Sequence, residues 1–216
     1  MLLPSHRTRL LIADEHNLVA EACKSFLEPE FEVVGIVNDG RALLALAPQL
    51  KPDIIIIETS MPLLNGLDAG EQLRQLVPSA KLVYLSMKMD PEVAAEAFRR
   101  GASAYLPKNA TAQELVSAIR QVRRGVSYLS PLITKDTVQF LLRSGKTLQT
   151  RKQLTPRQRE ILQLLAEGMS MKQVAYTLNL RPGTVAFHKY RIMMVLGAKT
   201  NAELLQYAIK EHMVAA

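Results

Sequence analysis

The 216-residue chain contains one cysteine, Cys23. No intramolecular disulfide can form, which fits a reducing cytoplasm. Cys23 falls in the apolar register of a helix, where a thiol behaves as a small buried hydrophobe. Long apolar runs are also missing. The run Ile54–Ile57 is far short of the ~20 residues that span a bilayer. The N-terminal Met-Leu-Leu-Pro-Ser-His-Arg lacks the apolar core of a secretory signal. Neither a Walker loop, a nucleophile elbow nor zinc spacing is present, so the chain is not expected to be an enzyme. Internal repeats and low-complexity tracts are absent too. A soluble protein with no membrane partner is expected.

Charge is present but unevenly spread. Residues 131–216 hold 13 Lys and Arg against 5 Asp and Glu, a net +8. Residues 1–130 hold 14 against 15, a net −1. The break favours two domains, and a basic segment of this kind suits a polyanion.

In the first half, apolar runs alternate with amphipathic helical patterns. Runs at 9–13, 31–37, 54–57, 81–86 and 102–106 are followed by helical patterns at about 18–27, 40–50, 67–76, 91–100 and 112–124. Thr111, with Glu114 three residues on, forms the signature of a capping box. Near-continuous β-branched runs predict strands covered on both faces. The expected fold is a five-stranded, parallel, doubly wound α/β sheet over 7–125. Ligand sites in such sheets lie beyond the carboxyl ends of the strands. Asp14 and Glu15 follow the first strand, Glu58 the third, Ser86 the fourth and Lys108 the fifth. Any one of them could be a solvated loop charge. Five at separate strand ends point to a shared site.

Residues 9–124 resemble a response-regulator receiver domain. The likeness rests on Asp14-Glu15-His16, Pro52-Asp53-Ile54-Ile55-Ile56-Ile57, Met61-Pro62, Asn65-Gly66, Ser86, Gly101-Ala102-Ser103-Ala104-Tyr105-Leu106 and Lys108. The resemblance implies that Asp14, Glu15 and Glu58 occupy the positions that hold Mg²⁺. It also makes Glu58 the phosphoacceptor equivalent. Ser86 and Lys108 would grip a phosphoryl group, and Tyr105 would report the change. Two positions depart from the pattern, since Glu58 and Glu15 stand where aspartates are usual. An octahedral Mg²⁺ site with oxygens at about 2.1 Å tolerates displacement poorly. One extra methylene moves each carboxylate by roughly 1.5 Å, enough to cost orders of magnitude in a positioned reaction. A receiver that works without phosphorylation, with Mg²⁺ not required, is therefore expected. A conventional phosphorylated receiver and a receiver used as a protein- or ligand-binding module are the alternatives.

Residues 126–149 read as a linker with a helix over about 131–143, suggested by Leu132, Val138, Leu141 and Leu142. A polar run, 146–153, follows, and the basic residues Arg143, Lys146, Arg151 and Lys152 of this tether are either solvated or auxiliary phosphate contacts. Helices then follow. Thr155-Pro156 is an N-cap with Pro at the first helical position. Ser170 caps a second helix and Arg181-Pro182-Gly183-Thr184 makes a turn. A third helix keeps Val185, Ile192 and Leu196 at core spacing, and Asn201 caps a fourth. Short helices with a basic third one match a helix-turn-helix.

Residues 150–216 resemble the LuxR-type four-helix DNA-binding domain of NarL/FixJ-like regulators. The resemblance implies that Ala186, Phe187 and Tyr190 face base edges, with an apolar contact to a thymine methyl open to Ala186 or Phe187. Thr184, His188, Lys189 and Arg191 would contact phosphate or orient the helix, although His188 could equally be a half-buried histidine. Leu204, Leu205, Ala208 and Ile209 form an apolar stripe that either dimerises or closes the small bundle. The whole chain reads as a cytoplasmic DNA-binding transcriptional regulator. Its expected partners are promoter DNA with an inverted repeat and a second copy of itself. A sensor kinase is the partner of the conventional alternative.

Overall fold

The computed structural model describes residues 7–87, 89–134, 137 and 154–214. Its first half alternates strands and helices. These are β1 (Arg9–Ala13), α1 (Asn17–Leu27), β2 (Glu32–Val37), α2 (Gly40–Leu50), β3 (Ile54–Glu58) and α3 (Gly66–Leu76). Then follow β4 (Lys81–Ser86), α4 (Pro91–Arg99), β5 (Ala104–Pro107), α5 (Ala112–Arg123) and β6 (Tyr128–Leu129). All neighbours pair in parallel, in the order β2-β1-β3-β4-β5-β6. The order reverses at β1, so the carboxyl ends of β1 and β3 flank the crevice where such sheets bind ligands.

The four consecutive isoleucines of β3 explain the layering. Side chains alternate across a strand. Ile55 and Ile57 join a core with α2, α3 and α4, while Ile54 and Ile56 join a second core with α1 and α5. Each isoleucine is at most 1% exposed. A run without polar alternation is what a strand sandwiched between two helical layers requires.

The sheet has six strands, one more than the sequence predicts. Tyr128 and Leu129 pair with Ala104 and Tyr105, inside the expected linker. Of the helix expected over 131–143, residues 131–134 are helical, whereas Val138, Leu141, Leu142 and Arg143 lie outside the described residues. Lys146, Arg151 and Lys152 lie outside them too. Thr111 caps α5 by accepting from the Glu114 amide. The expected return bond is replaced, because Glu114 takes the Tyr128 hydroxyl at 3.1 Å. The sixth strand thus claims the carboxylate that a capping box would use.

The second half is a helical bundle of α6 (Pro156–Ala166), α7 (Met171–Thr177), α8 (Pro182–Leu196) and α9 (Asn201–Lys210). Thr155 with Gln158 and Ser170 with Gln173 form complete capping boxes at α6 and α7. α8 stops at Gly197, whose φ of 73° suits a residue without a Cβ. The N-cap of α9 is Thr200, accepting from the Glu203 amide, rather than Asn201. Both residue types cap well, so composition does not choose between adjacent positions. Among the described residues no helix is long and apolar enough to cross a membrane.

The bundle core contains Ile161, Leu162, Leu164, Val174, Val185 and Ile192. Leu204 and Ala208 also belong to it, at 4% and 0% exposure. These two are core and not a dimer surface. Of the predicted stripe, Leu205 is exposed and Ile209 is half-buried.

Candidate functional site

Glu58 ends β3, and its carboxylate is 2% exposed. Its position depends on Gly66. A Cβ there would lie 2.0 Å from the Glu58 carbonyl, so only glycine lets α3 begin so close to the strand end. Glu58 Oε1 accepts from the Thr59 hydroxyl at 2.8 Å and the Ser60 amide at 3.0 Å. Oε2 lies 2.6 Å from Lys108 Nζ. The same ammonium reaches Asp14 Oδ2 at 2.7 Å. Burial alone would lower the Lys108 pKa, but Asp14 and Glu58 outweigh it and hold the ammonium above its usual range.

Behind this triad, the Thr59 and Ser86 hydroxyls are 2.7 Å apart. Ser86 also bonds Tyr105, which is wholly buried. Burial raises the Tyr105 phenol above its ordinary pKa. Asp14, Glu58, Ser86, Tyr105 and Lys108 therefore come together as the sequence predicts.

Glu15 does not join them. Its carboxylate is 39% exposed and lies 3.8 Å from His16 Nδ1. Asp14 Oδ1 accepts from the His16 amide at 2.9 Å. Among the described residues no three His, Cys, Asp or Glu side chains gather to hold a metal ion. As they stand, Asp14, Glu15 and Glu58 do not fit Mg²⁺. The Lys108 ammonium bridges the two buried acids and the third faces outward.

The polar contact between the two halves begins in the loop after Glu58. Gln163 of α6 is 1% exposed. Its Nε2 donates to the Met61 carbonyl at 3.0 Å and to Glu167 Oε1 at 2.7 Å. Its Oε1 accepts from the Asn65 amide at 2.8 Å and Asn65 Nδ2 at 3.0 Å. Every hydrogen-bonding position of that amide is thereby filled. Leu63 packs against the bundle core, and its amide donates to Glu167. Leu63 holds a left-handed φ of 64°, a conformation costing a non-glycine residue about 1–2 kcal/mol.

Beside Gln163, the Asp68 carboxylate takes Arg159 Nε at 2.8 Å and Arg100 Nη1 at 2.7 Å. Burial would raise the Asp68 pKa, but Arg159 and Arg100 outweigh it and hold the carboxyl below its ordinary range. Burial raises Glu167, against its bonds to Gln163 and Leu63. None of Thr59, Ser60, Gln163, Asp68 or Arg159 is picked out by sequence reasoning. An Asp on the inner face of an amphipathic helix is the one available signal, and it marks Asp68.

At the far side of the bundle, α8 presents the residues expected to meet DNA. Ala186, Phe187, Tyr190 and Arg191 are exposed, while Thr184, His188 and Lys189 are half-buried. The His188 ring meets the Phe187 ring edge-on, centroids 5.8 Å apart. The receiver contacts α6, so Phe187 and Tyr190 remain 59% and 63% exposed.

Comparison with known proteins agrees with this architecture. Residues 10–120 match the response regulator receiver domain family, and residues 152–208 match the bacterial regulatory proteins of the luxR family. The chain is 33% identical over 210 residues to the transcriptional regulatory protein MctR of Rhizobium johnstonii, covering 96% of each. It is also 33% identical over 214 residues to the oxygen regulatory protein NreC of Staphylococcus carnosus, covering 95% of this chain and 99% of that one. Among solved structures, the RcsB response regulator of Salmonella typhimurium superposes with a TM-score of 0.61 at 25% identity, covering 94% of this chain and 96% of that one. The chain belongs to the NarL/FixJ-type response regulators, non-enzymatic transcription regulators in which a receiver domain precedes a LuxR-type DNA-binding domain.

Proposed function

We propose that this regulator binds its promoters without phosphorylation, its receiver held in one state by Glu58. The supporting observation is the engagement of both Glu58 oxygens. One accepts from Thr59 and Ser60, the other pairs with Lys108, and the carboxylate is buried. In this arrangement neither Glu58 oxygen is free to act as the nucleophile of an in-line attack on phosphorus. Freeing Glu58 Oε2 would break its buried ion pair with Lys108, which would keep Asp14 as its remaining partner. Neither Mg²⁺ nor a sensor kinase is required. The protein acts in the cytoplasm.

In this reading α8 lies in the major groove. Tyr190 contacts a base edge and Lys189 and Arg191 contact phosphate. Two copies meet an inverted repeat, with reading helices about one DNA turn apart. Tyr190→Ala should cost about 1–3 kcal/mol on the specific site and little on random duplex. Lys189→Ala should weaken both alike and flatten the salt dependence. The test is genome-wide recovery of bound DNA from cells lacking any phosphodonor pathway to the receiver. Enrichment at discrete sites, lost in the Tyr190→Ala protein, supports the reading. Recovery of no discrete site overturns it.

A further inference from the structure

We propose that α8 reads its half-site chiefly through thymine 5-methyl groups, by an apolar edge made of Ala186, Phe187 and Met194. The inference rests on α8 being the DNA-reading helix and specifies what that helix recognises. Phe187, Tyr190 and Met194 are spaced three and four residues apart, so they share one helix face. They are 59%, 63% and 59% exposed, and Ala186 beside them is exposed as well. Large apolar side chains in a row on a soluble surface mark an interaction site.

The occupant follows from chemistry. In the major groove, Arg and Lys select guanine, Asn and Gln select adenine, Asp and Glu select cytosine, and apolar groups select the thymine methyl. Residues 186, 187 and 194 are Ala, Phe and Met, which carry none of the polar groups needed for the first three. Tyr190 adds one hydroxyl that can donate or accept. The only formal charges on α8 are Lys189 and Arg191. Acidic side chains of the bundle are engaged elsewhere: Glu160 with Arg157 and Gln72, Glu167 with Leu63 and Gln163, and Glu203 with the Lys199 amide. The edge is thus apolar at its centre and cationic at its border, which suits a duplex better than a second protein surface. The Phe187 ring meets half-buried His188 edge-on, with the rest of the ring left exposed.

The experiment uses the full-length protein. A random 30-bp duplex library is selected for binding, and the enriched duplex is resynthesised with deoxyuridine at each thymidine in turn. Deoxyuridine pairs identically and lacks only the methyl. At one or more positions the substitution should weaken binding about three- to fivefold, the worth of one buried methyl. Phe187→Ala or Met194→Ala should lower affinity for the thymidine duplex and bring the thymidine-to-deoxyuridine ratio at its position to about one. Equal binding of both duplexes by the unsubstituted protein overturns the inference while leaving DNA reading intact. So does a ratio unchanged in both variants. Failure to enrich any duplex overturns the reading of α8 itself. The comparison of the two duplexes with unsubstituted protein needs no variant to fold.

Discussion

The Gln163 side chain donates to the carbonyl of Met61 at 3.0 Å, and Met61 lies three residues beyond Glu58. Between them, the Ser60 amide donates to Glu58 Oε1 at 3.0 Å. The carboxylate at the receiver's acceptor position and the first helix of the DNA-binding bundle therefore grip the same short loop. Whatever shifts that loop changes how the bundle is held.

Removing the grip should loosen the two halves. Gln163→Ala strands the Asn65 amide and the Met61 carbonyl, at about 1–3 kcal/mol for each buried group left unpaired. Separation lets water satisfy them instead, so the expected result is an open protein and not an unfolded one. Amide exchange at residues 61–65 should rise about tenfold or more, with the receiver and bundle cores unchanged. Unaltered exchange there would show that the contact contributes nothing to docking.

Acidity should act on the same interface in two steps of opposite sign. Burial raises the Glu167 carboxyl above its ordinary pKa in the docked protein. Its protonation, as pH falls from neutral through that raised value, relieves a burial cost and tightens docking. Despite burial, Arg159 and Arg100 hold Asp68 below its ordinary pKa. Only the share due to Arg159 depends on docking, because Arg100 and Asn65 belong to the receiver; that share is fully present above the ordinary value and is lost as pH falls through the lowered docked value. Scattering-derived dimensions should therefore show the most compact protein in mildly acidic solution and expansion below about pH 4. Asp68→Asn should be more open at neutral pH and should not expand further in acid by this route. A monotonic opening from neutral pH downward in the Glu167→Gln protein and the parent alike would remove Glu167 from the account.

Leu205 and Leu204 separate surface from core on one helix. Leu204 is 4% exposed within the bundle, whereas Leu205 is 41% exposed. Leu205→Glu should leave the helical bundle folded and weaken cooperative binding to a full inverted repeat by about tenfold, the order expected for one buried leucine. Binding to a half-site should not change. Leu204→Glu should unfold the bundle. Equal losses on full and half-sites for Leu205→Glu would mean that α9 takes no part in pairing two copies.

Much of this arrangement is legible in the residues. Four consecutive isoleucines announce a strand buried on both faces. Asp14, Glu58, Ser86 and Lys108 fall at strand ends because the α/β alternation puts them there. Thr155 and Ser170 mark helix starts through local bonds that a sequence pattern captures. Other features are silent for physical reasons. Tyr128–Leu129 is two residues long, too short for a periodic signal, and its pairing depends on the edge that β5 offers. Gln163, Glu160 and Glu167 look like the solvent face of an amphipathic helix. They are buried or half-buried only because a second domain covers them, and no local pattern encodes the position of that domain. Leu204 and Leu205 share one apolar stripe in sequence, yet packing assigns them different environments.

The most direct test of the central claim, a receiver set by Glu58 without phosphorylation, is intact-mass measurement of the full-length protein. The protein is incubated with a small phosphodonor and Mg²⁺, and its affinity for a selected duplex is read in the same samples. The account predicts no added phosphoryl mass of about 80 Da, an affinity unchanged by the phosphodonor, and an altered affinity in Glu58→Gln, where only the charge paired with Lys108 is removed. Stoichiometric phosphorylation at Glu58 accompanied by a change in DNA affinity would contradict it.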